Sequence, residues 1–375
     1  MPLTERENFL QTVTFGEPEW LPTFYMNFYL ATWLKYGRAL EELARRHPQV
    51  YVEPLNFPES PDELGKEQLE GTFRDNWGCV WHTAPGGAGL QGQVVEHPLA
   101  DWAALETYML PDPLTQDDWK ERDWEQIRQK IEALKRQDKV AYGDAGSLFD
   151  RLYYLRGFEN LMIDFASDAP QLPELIDRLE EHTLQVVDQW LKIGIDALYF
   201  HTDIAFNQSL MIRPEQFRRY IKPMYQKLFA PCRAAGVHVY LSSEGYLLNI
   251  VDDLVECGVS IQDAEVSSNT LEGIERNYKG RICVLFYPDA QKMPFWNPDQ
   301  VRAHIREAVL RLGSPRGGLM IASYPTPDVP LENIEAMAQA IEEFRTYWWD
   351  GRGASQEQIS GTYNLPDLDM SSKGA

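Results

Sequence analysis

Val237-His-Val-Tyr-Leu-Ser-Ser-Glu-Gly-Tyr246 decides the fold, because an apolar run stops there at Ser242, Ser243 and Glu244, and turn-permitting Gly245 follows. The same punctuation recurs on either side. Asp196-Ala-Leu-Tyr-Phe200 runs into His201 and Asp203, Val259-Ser-Ile261 into Asp263 and Glu265, and Ile282-Cys-Val-Leu-Phe286 into Asp289. Each segment reads as a short buried strand with an acid, imidazole or hydroxyl at its exit, and amphipathic helical stretches separate the segments. Reactive side chains placed repeatedly at strand C-termini describe an enzyme site on an α/β fold, a (β/α)8 TIM barrel.

Size and composition are compatible with that expectation. The chain has 375 residues, 44% of them hydrophobic and 25% charged, enough for one large barrel core. Residues 1–350 are expected to form that single domain. A net charge of -22 argues against a nucleic-acid partner, since phosphate binding needs clustered Lys and Arg. No run of about 18 apolar residues is present, so no membrane span is expected, and the first residues show no basic segment followed by an apolar core, so secretion is not expected. Cys79, Cys232, Cys257 and Cys283 lie far apart with no Cys-x-x-Cys spacing, which suggests neither a disulfide framework nor a thiolate cluster. These features point to a cytoplasmic protein.

Along the chain, Thr4 to Leu10 reads as a first helix with a Thr4–Glu7 capping box. Leu21 to Met26 reads as the first strand, with Asn27 at its exit. Residues 53–113 change texture, with prolines from Pro54 to Pro61, then Asp75-Asn-Trp-Gly-Cys-Val-Trp81, then Gly86-Gly-Ala-Gly89. This stretch is expected to be an insertion of short strands and loops over one barrel face. Further helices are expected at Asp117–Lys135, Leu172–Ile193, Pro214–Ala235, Leu247–Cys257, Pro298–Leu312 and Leu331–Trp348. A strand from Lys139 should end at Asp144, and the last strand spans Gly317–Ala322. The tail 351–375 reads as loosely ordered.

Three stretches resemble the superfamily of uroporphyrinogen decarboxylases and cobamide-dependent methyltransferases. Asp75-Asn-Trp-Gly-Cys-Val-Trp81 and Tyr154-Leu-Arg-Gly-Phe-Glu-Asn-Leu-Met162 are similar to segments of the methyltransferase-like branch. The third runs from His201-Thr-Asp203 through Arg213-Pro-Glu-Gln-Phe217 and Lys222-Pro223 to Pro288-Asp-Ala-Gln291 and Pro330-Leu-Glu-Asn-Ile334. In that branch a His-x-Cys at a strand end, with a later Cys, holds zinc that activates a thiol. Here the corresponding positions are Ser242 and Glu244, with Ser323 and Tyr324 near the late one, so a zinc–thiolate site is not expected. The decarboxylases use an arginine-rich N-terminal segment, whereas Asn27-Phe-Tyr-Leu-Ala-Thr-Trp-Leu-Lys35 has no arginine before Arg38.

The resemblance implies a methyltransferase or demethylase component that takes a methyl group from a small donor, such as a methoxylated aromatic, to a corrinoid on a partner protein. A uroporphyrinogen-type decarboxylase and a non-catalytic barrel that binds a small molecule or corrinoid protein are the alternatives, and pairing with a second copy would suit the superfamily. Glu244, His201 and Asp203 are the candidate catalytic residues. Asn27, Tyr25, Trp77, Ser242, Asp289 and Tyr324 are the candidate substrate-binding residues. Imidazole with carboxylates is a known divalent-metal set, so His201, Glu244 and Glu265 are candidate ligands for zinc acting as a Lewis acid. Without metal, carboxylates crowded in one mouth, Asp263 among them, raise one another's pKa and supply a general acid.

Overall fold

The computed structural model describes residues 2–51, 69–85 and 92–353, except for the side chain of Tyr25. In chain order the strands are β1 (Thr23–Met26), β2 (Gly71–Arg74), β3 (Val80–Thr83), β4 (Gln93–Glu96), β5 (Tyr142–Ser147), β6 (Ala197–His201), β7 (His238–Ser242), β8 (Ile261–Asp263), β9 (Cys283–Phe286) and β10 (Leu319–Ser323). Seven of them form one parallel sheet in the order β1-β10-β9-β8-β7-β6-β5. Helices join successive strands and cover the outer face. The arrangement is TIM-barrel-like, but the expected eight-strand closure is only partly met. Where an eighth strand would stand, between β1 and β5, there is no strand among the described residues, and a cavity of about 670 Å³ opens beside Phe24 and Tyr142.

The period-two alternation of a strand explains why these runs are apolar on both faces. Leu198, Phe200, Val239, Leu241, Val284, Phe286 and Ile321 point outward into the main core with the helices. Ala197, Tyr240, Ile261, Cys283, Leu285, Met320 and Ala322 point inward. Phe9 and Val13 of the helix Glu5–Val13 join this inner set and floor the barrel from its N-terminal end. Arg6 fixes that helix to the start of β6, its guanidinium 2.7 Å from Asp196 Oδ1 while Asp196 Oδ2 accepts the Ala141 N–H.

The insertion carries a three-stranded antiparallel sheet, β2-β3-β4. Its Asp-Asn-Trp-Gly turn is held by buried Asp75, which accepts the Cys79 N–H and the Trp81 indole N–H, each at 2.8 Å. The glycine run 86–89 lies outside the described residues, as do positions 354–375 of the tail.

Several boundaries differ from expectation for local reasons. The helix expected from Asp117 is Trp124–Arg136, because Asp117 accepts the Trp119 and Lys120 N–H groups in a turn and Asp123 provides the N-cap. β5 starts at Tyr142 and runs past Asp144 to Ser147, drawn on by its pairing with β6. A π turn at Phe217–Ile221 interrupts the expected Pro214–Ala235 helix. The final helix ends at Phe344.

Candidate active site at the strand exits

The parallel sheet delivers the exits of β6 to β10 and β1 to one mouth, where a cavity of about 340 Å³ opens. His201, Ser242, Glu244, Asp263, Glu265, Asp289 and Tyr324 all line it. Asn27 lies exposed at the exit of β1, its side chain accepting the Phe28 N–H, and is not part of the lining. Trp77 belongs elsewhere: its ring packs against Arg151 at 4.2 Å and its indole N–H donates to Asp118, so it secures the insertion to the barrel. The side chain of Tyr25 lies outside the described residues.

His201 is the last residue of β6, and its ring sits between two carboxylates. Nδ1 lies 3.3 Å from Asp150 Oδ2 and Nε2 lies 3.7 Å from Asp203 Oδ1. Asp150 is fully buried on the helix Phe149–Arg156, where it also accepts the Tyr153 hydroxyl and the Asp203 N–H. Burial works against a charged imidazole, but the Asp150 hydrogen bond and the charges of Asp150, Asp203 and Asp263 outweigh it and raise His201 to about 9. Burial likewise works against the Asp150 carboxylate, yet bonding to His201 lowers its pKa. The pair is therefore imidazolium and carboxylate at neutral pH.

The β7 exit is set by its neighbours. Asp263 at the end of β8 accepts the Ser243 N–H at 2.9 Å, and its other oxygen takes the Ser242 hydroxyl and, at 3.3 Å, the Tyr240 phenol. Burial still pushes Asp263 up to about 6. Gly245 has φ +85, and a Cβ there would stand 2.7 Å from the Ala205 carbonyl oxygen, so only glycine fits after Glu244. Glu265 secures the same bend: it accepts the Gly245 N–H and the Ser268 hydroxyl, each at 2.9 Å, and also the Ser267 hydroxyl. Its oxygens are thus engaged in structure.

Glu244 is different. Its backbone N–H donates to Asp203 Oδ1 at 3.0 Å, while its own carboxyl accepts no hydrogen bond among the described residues. Although Glu244 is exposed toward the mouth, desolvation by the cavity walls, followed by the charges of Asp203, Glu265 and Asp263, raises it to about 7. A carboxyl near half-ionisation, without hydrogen bonds from the described residues and lining a cavity, is suited to proton transfer.

Among the described residues, the His, Cys, Asp and Glu side chains whose ligand atoms all lie within 4.8 Å are Asp150, His201 and Asp203, a different set from His201, Glu244 and Glu265. Hydrogen bonds already engage Asp150, and Asp203 Oδ1 is taken by the Glu244 N–H. A zinc–thiolate centre does not fit this mouth: all four cysteines are free, buried and absent from the cavity lining, and burial raises their thiols.

Two groups of residues escaped the sequence reading. Asp150 follows the exit of β5 just as Asp203 follows that of β6, and placing the end of that strand at Asp144 concealed it. Tyr29, Tyr199, Tyr240 and Tyr287 line the cavity, but nothing in their local pattern separates them from core aromatics.

The sequence model of uroporphyrinogen decarboxylase (URO-D) matches residues 87–344. The chain belongs to the URO-D family. No curated protein matches it. Among solved structures, a methyltransferase from Methanosarcina mazei aligns over 91% of this chain and 99% of its own, with 17% identity and a TM-score of 0.60. That likeness shows a shared fold. A dihydrodipicolinate synthase from Thermotoga maritima aligns over 63% of this chain and 61% of its own at 10% identity, with a TM-score of 0.32. Among the described residues, no helix of this URO-D family member is long and apolar enough to cross a membrane.

Proposed function

We propose that this URO-D family protein is a methyltransferase component that moves a methyl group from a small methylated donor to a corrinoid carried by a partner protein. The observation that carries the reading is Glu244, a carboxyl without hydrogen bonds from the described residues, raised to about 7, in a cavity beside the His201–Asp203 pair. The corrinoid supplies the methyl-accepting centre. The chain supplies binding and proton control. For a donor whose departing heteroatom must carry a proton, Glu244 keeps it there, so that the carbon–heteroatom bond breaks with its electron pair going to an atom that leaves uncharged. Asp203 orients Glu244 through its backbone N–H, and His201 holds Asp203 in place.

Porphyrinogen decarboxylation finds less support, because the described lining of the cavity contains no Arg or Lys to hold substrate carboxylates. The proposal sets the protein in the cytoplasm, where buried free cysteines persist. The test combines purified protein, a reduced corrinoid protein and a panel of methylated donors, and follows methylation of the corrinoid by its absorption spectrum. Transfer that is lost with Glu244→Gln supports the reading. Absence of transfer from every donor, or a Glu244→Gln variant as active as the parent, sinks it, and carbon dioxide release from a porphyrinogen would favour the decarboxylase instead.

A further inference from the structure

The walls of the mouth carry a second message, about the charge of what enters. Tyr29 and Tyr324 meet edge to face, centroids 4.3 Å apart and planes at 79°, so two rings form the corner of a box. Deeper in the cavity, Tyr199 and Tyr240 make a second crossed pair at 5.0 Å and 65°. The carboxyl of Glu244 lines the same cavity. So does Asp289, its side chain 1% exposed, with Oδ2 outside hydrogen-bonding geometry although the ammonium of exposed Lys292 lies 3.0 Å away. Lys292 is not part of the lining, and no Lys or Arg is among the described lining residues. His201 is the one cation facing the cavity among them, and it stands between Asp150 and Asp203.

We propose that the cavity is a cation site and that the methyl donor is a methylated ammonium or sulfonium compound. This rests on the methyl-transfer reading for the word donor, but the cation site itself does not. Aromatic rings present a negative face to a cation, and crossed rings surround an onium group on more than one side. Carboxylates in a lining with no Lys or Arg among the described residues complete the match. An anionic donor such as a methoxybenzoate would instead meet like charge, with no Lys or Arg in the described lining to receive it. The chemistry agrees: in an ammonium donor the carbon–nitrogen bond breaks, its electron pair goes to nitrogen, and a neutral amine departs. No negative charge then develops beside Glu244 and Asp289. For a protonated tertiary amine, the carboxylates also keep the proton on nitrogen, the form in which the amine can leave.

The test is calorimetric binding with the intact protein and needs no turnover. The probes are choline, its uncharged carbon isostere 3,3-dimethyl-1-butanol, and 4-methoxybenzoate. Choline should bind at least about tenfold more tightly than the isostere, and methoxybenzoate more weakly than either. Tyr324→Ala should weaken choline binding by about tenfold while Tyr324→Phe retains it, because the ring face and not the hydroxyl does the binding. Circular dichroism of both variants establishes that they are folded. Equal binding of choline and the isostere, tighter binding of methoxybenzoate, or no binding of choline overturns the proposal. Choline binding without methyl transfer from any onium donor leaves the cation site standing and removes the methyltransferase reading. Transfer from a methoxylated aromatic without choline binding does the reverse.

Discussion

Asp150→Asn removes the buried carboxylate that holds His201 charged and leaves a group of nearly the same shape. In the parent protein the ring titrates at about 9, against 6.5 for an unperturbed histidine. At about 1.36 kcal/mol per pH unit, and with its side chain 31% exposed, the ring's charged form is stabilised by about 2 to 3 kcal/mol. The sign follows from proton counts. A histidine whose folded pKa is raised contributes stability that is complete below 6.5 and is lost as the pH rises through about 9. Asp150, lowered in the fold, contributes stability that is present above its ordinary value of 3.8 and is lost as the pH falls through its folded value. The pair therefore stabilises the protein between these limits.

In Asp150→Asn, burial continues to work against the imidazolium with only Asp203 and more distant charges in opposition. The His201 midpoint should then fall below about 7. The assay is a heteronuclear NMR titration of the imidazole signals, with His201 assigned from a His201→Gln variant. Urea unfolding at pH 7 should show a loss of about 3 kcal/mol, shrinking above pH 9. A parent His201 that titrates near 6.5, or a variant whose midpoint does not move, would refute the charged-pair assignment and with it the orienting role given to Asp203.

Three other substitutions separate proton chemistry from architecture. Glu244→Gln should remove the ionisation near pH 7 from the pH profile of whatever reaction the protein catalyses and should raise thermal stability at pH 7 and above, because a carboxyl raised to about 7 in the fold costs stability once the pH exceeds its ordinary 4.5; a retained limb near 7 would assign that ionisation to another group. Glu265→Gln should cost about 1 to 3 kcal/mol in denaturant unfolding, because bonds to Gly245, Ser267 and Ser268 are weakened together, and an unchanged midpoint would contradict its structural role. Gly245→Ala should destabilise by more than about 1 kcal/mol, since φ +85 and the Ala205 carbonyl at 2.7 Å both oppose a Cβ; wild-type melting behaviour would show that the bend relaxes freely.

The fold was legible where strand and acid follow one another in sequence. β6, β7, β8 and β9 each end within reach of the polar residue that the pattern picked out, because parallel strands buried on both faces leave continuous apolar runs with abrupt ends. β5 was harder to read. Its Tyr-Gly-Asp-Ala-Gly-Ser sequence is not apolar, so its pairing with β6 rather than its own composition sets its length, and Asp150 stayed hidden beyond it. The difference between Glu265 and Glu244 was also invisible, because it depends on which backbone N–H groups fold back onto each carboxylate. Trp77 was misplaced because its Asp-x-Trp-Gly segment serves the seat of the insertion on Arg151 and Asp118, away from the mouth. The tyrosine corners come from different strands and loops, and no local spacing announces them.

The pairing of β1 with β10 has a consequence in time. Thr23 finds its partner in Ile321, and the Leu21 N–H bonds to the carbonyl of Arg345, so the first strand waits for nearly the last part of the chain before it can be seated. During synthesis β5 to β9 can assemble in order, each beside a neighbour already made, while the helix carrying Phe9 and Val13 has no floor to fill. An emerging chain therefore presents an open sheet edge and a first helix with Phe9 and Val13 uncovered until its last strand appears. Such an intermediate is prone to association with itself, and a stalled or C-terminally truncated chain would remain in that state.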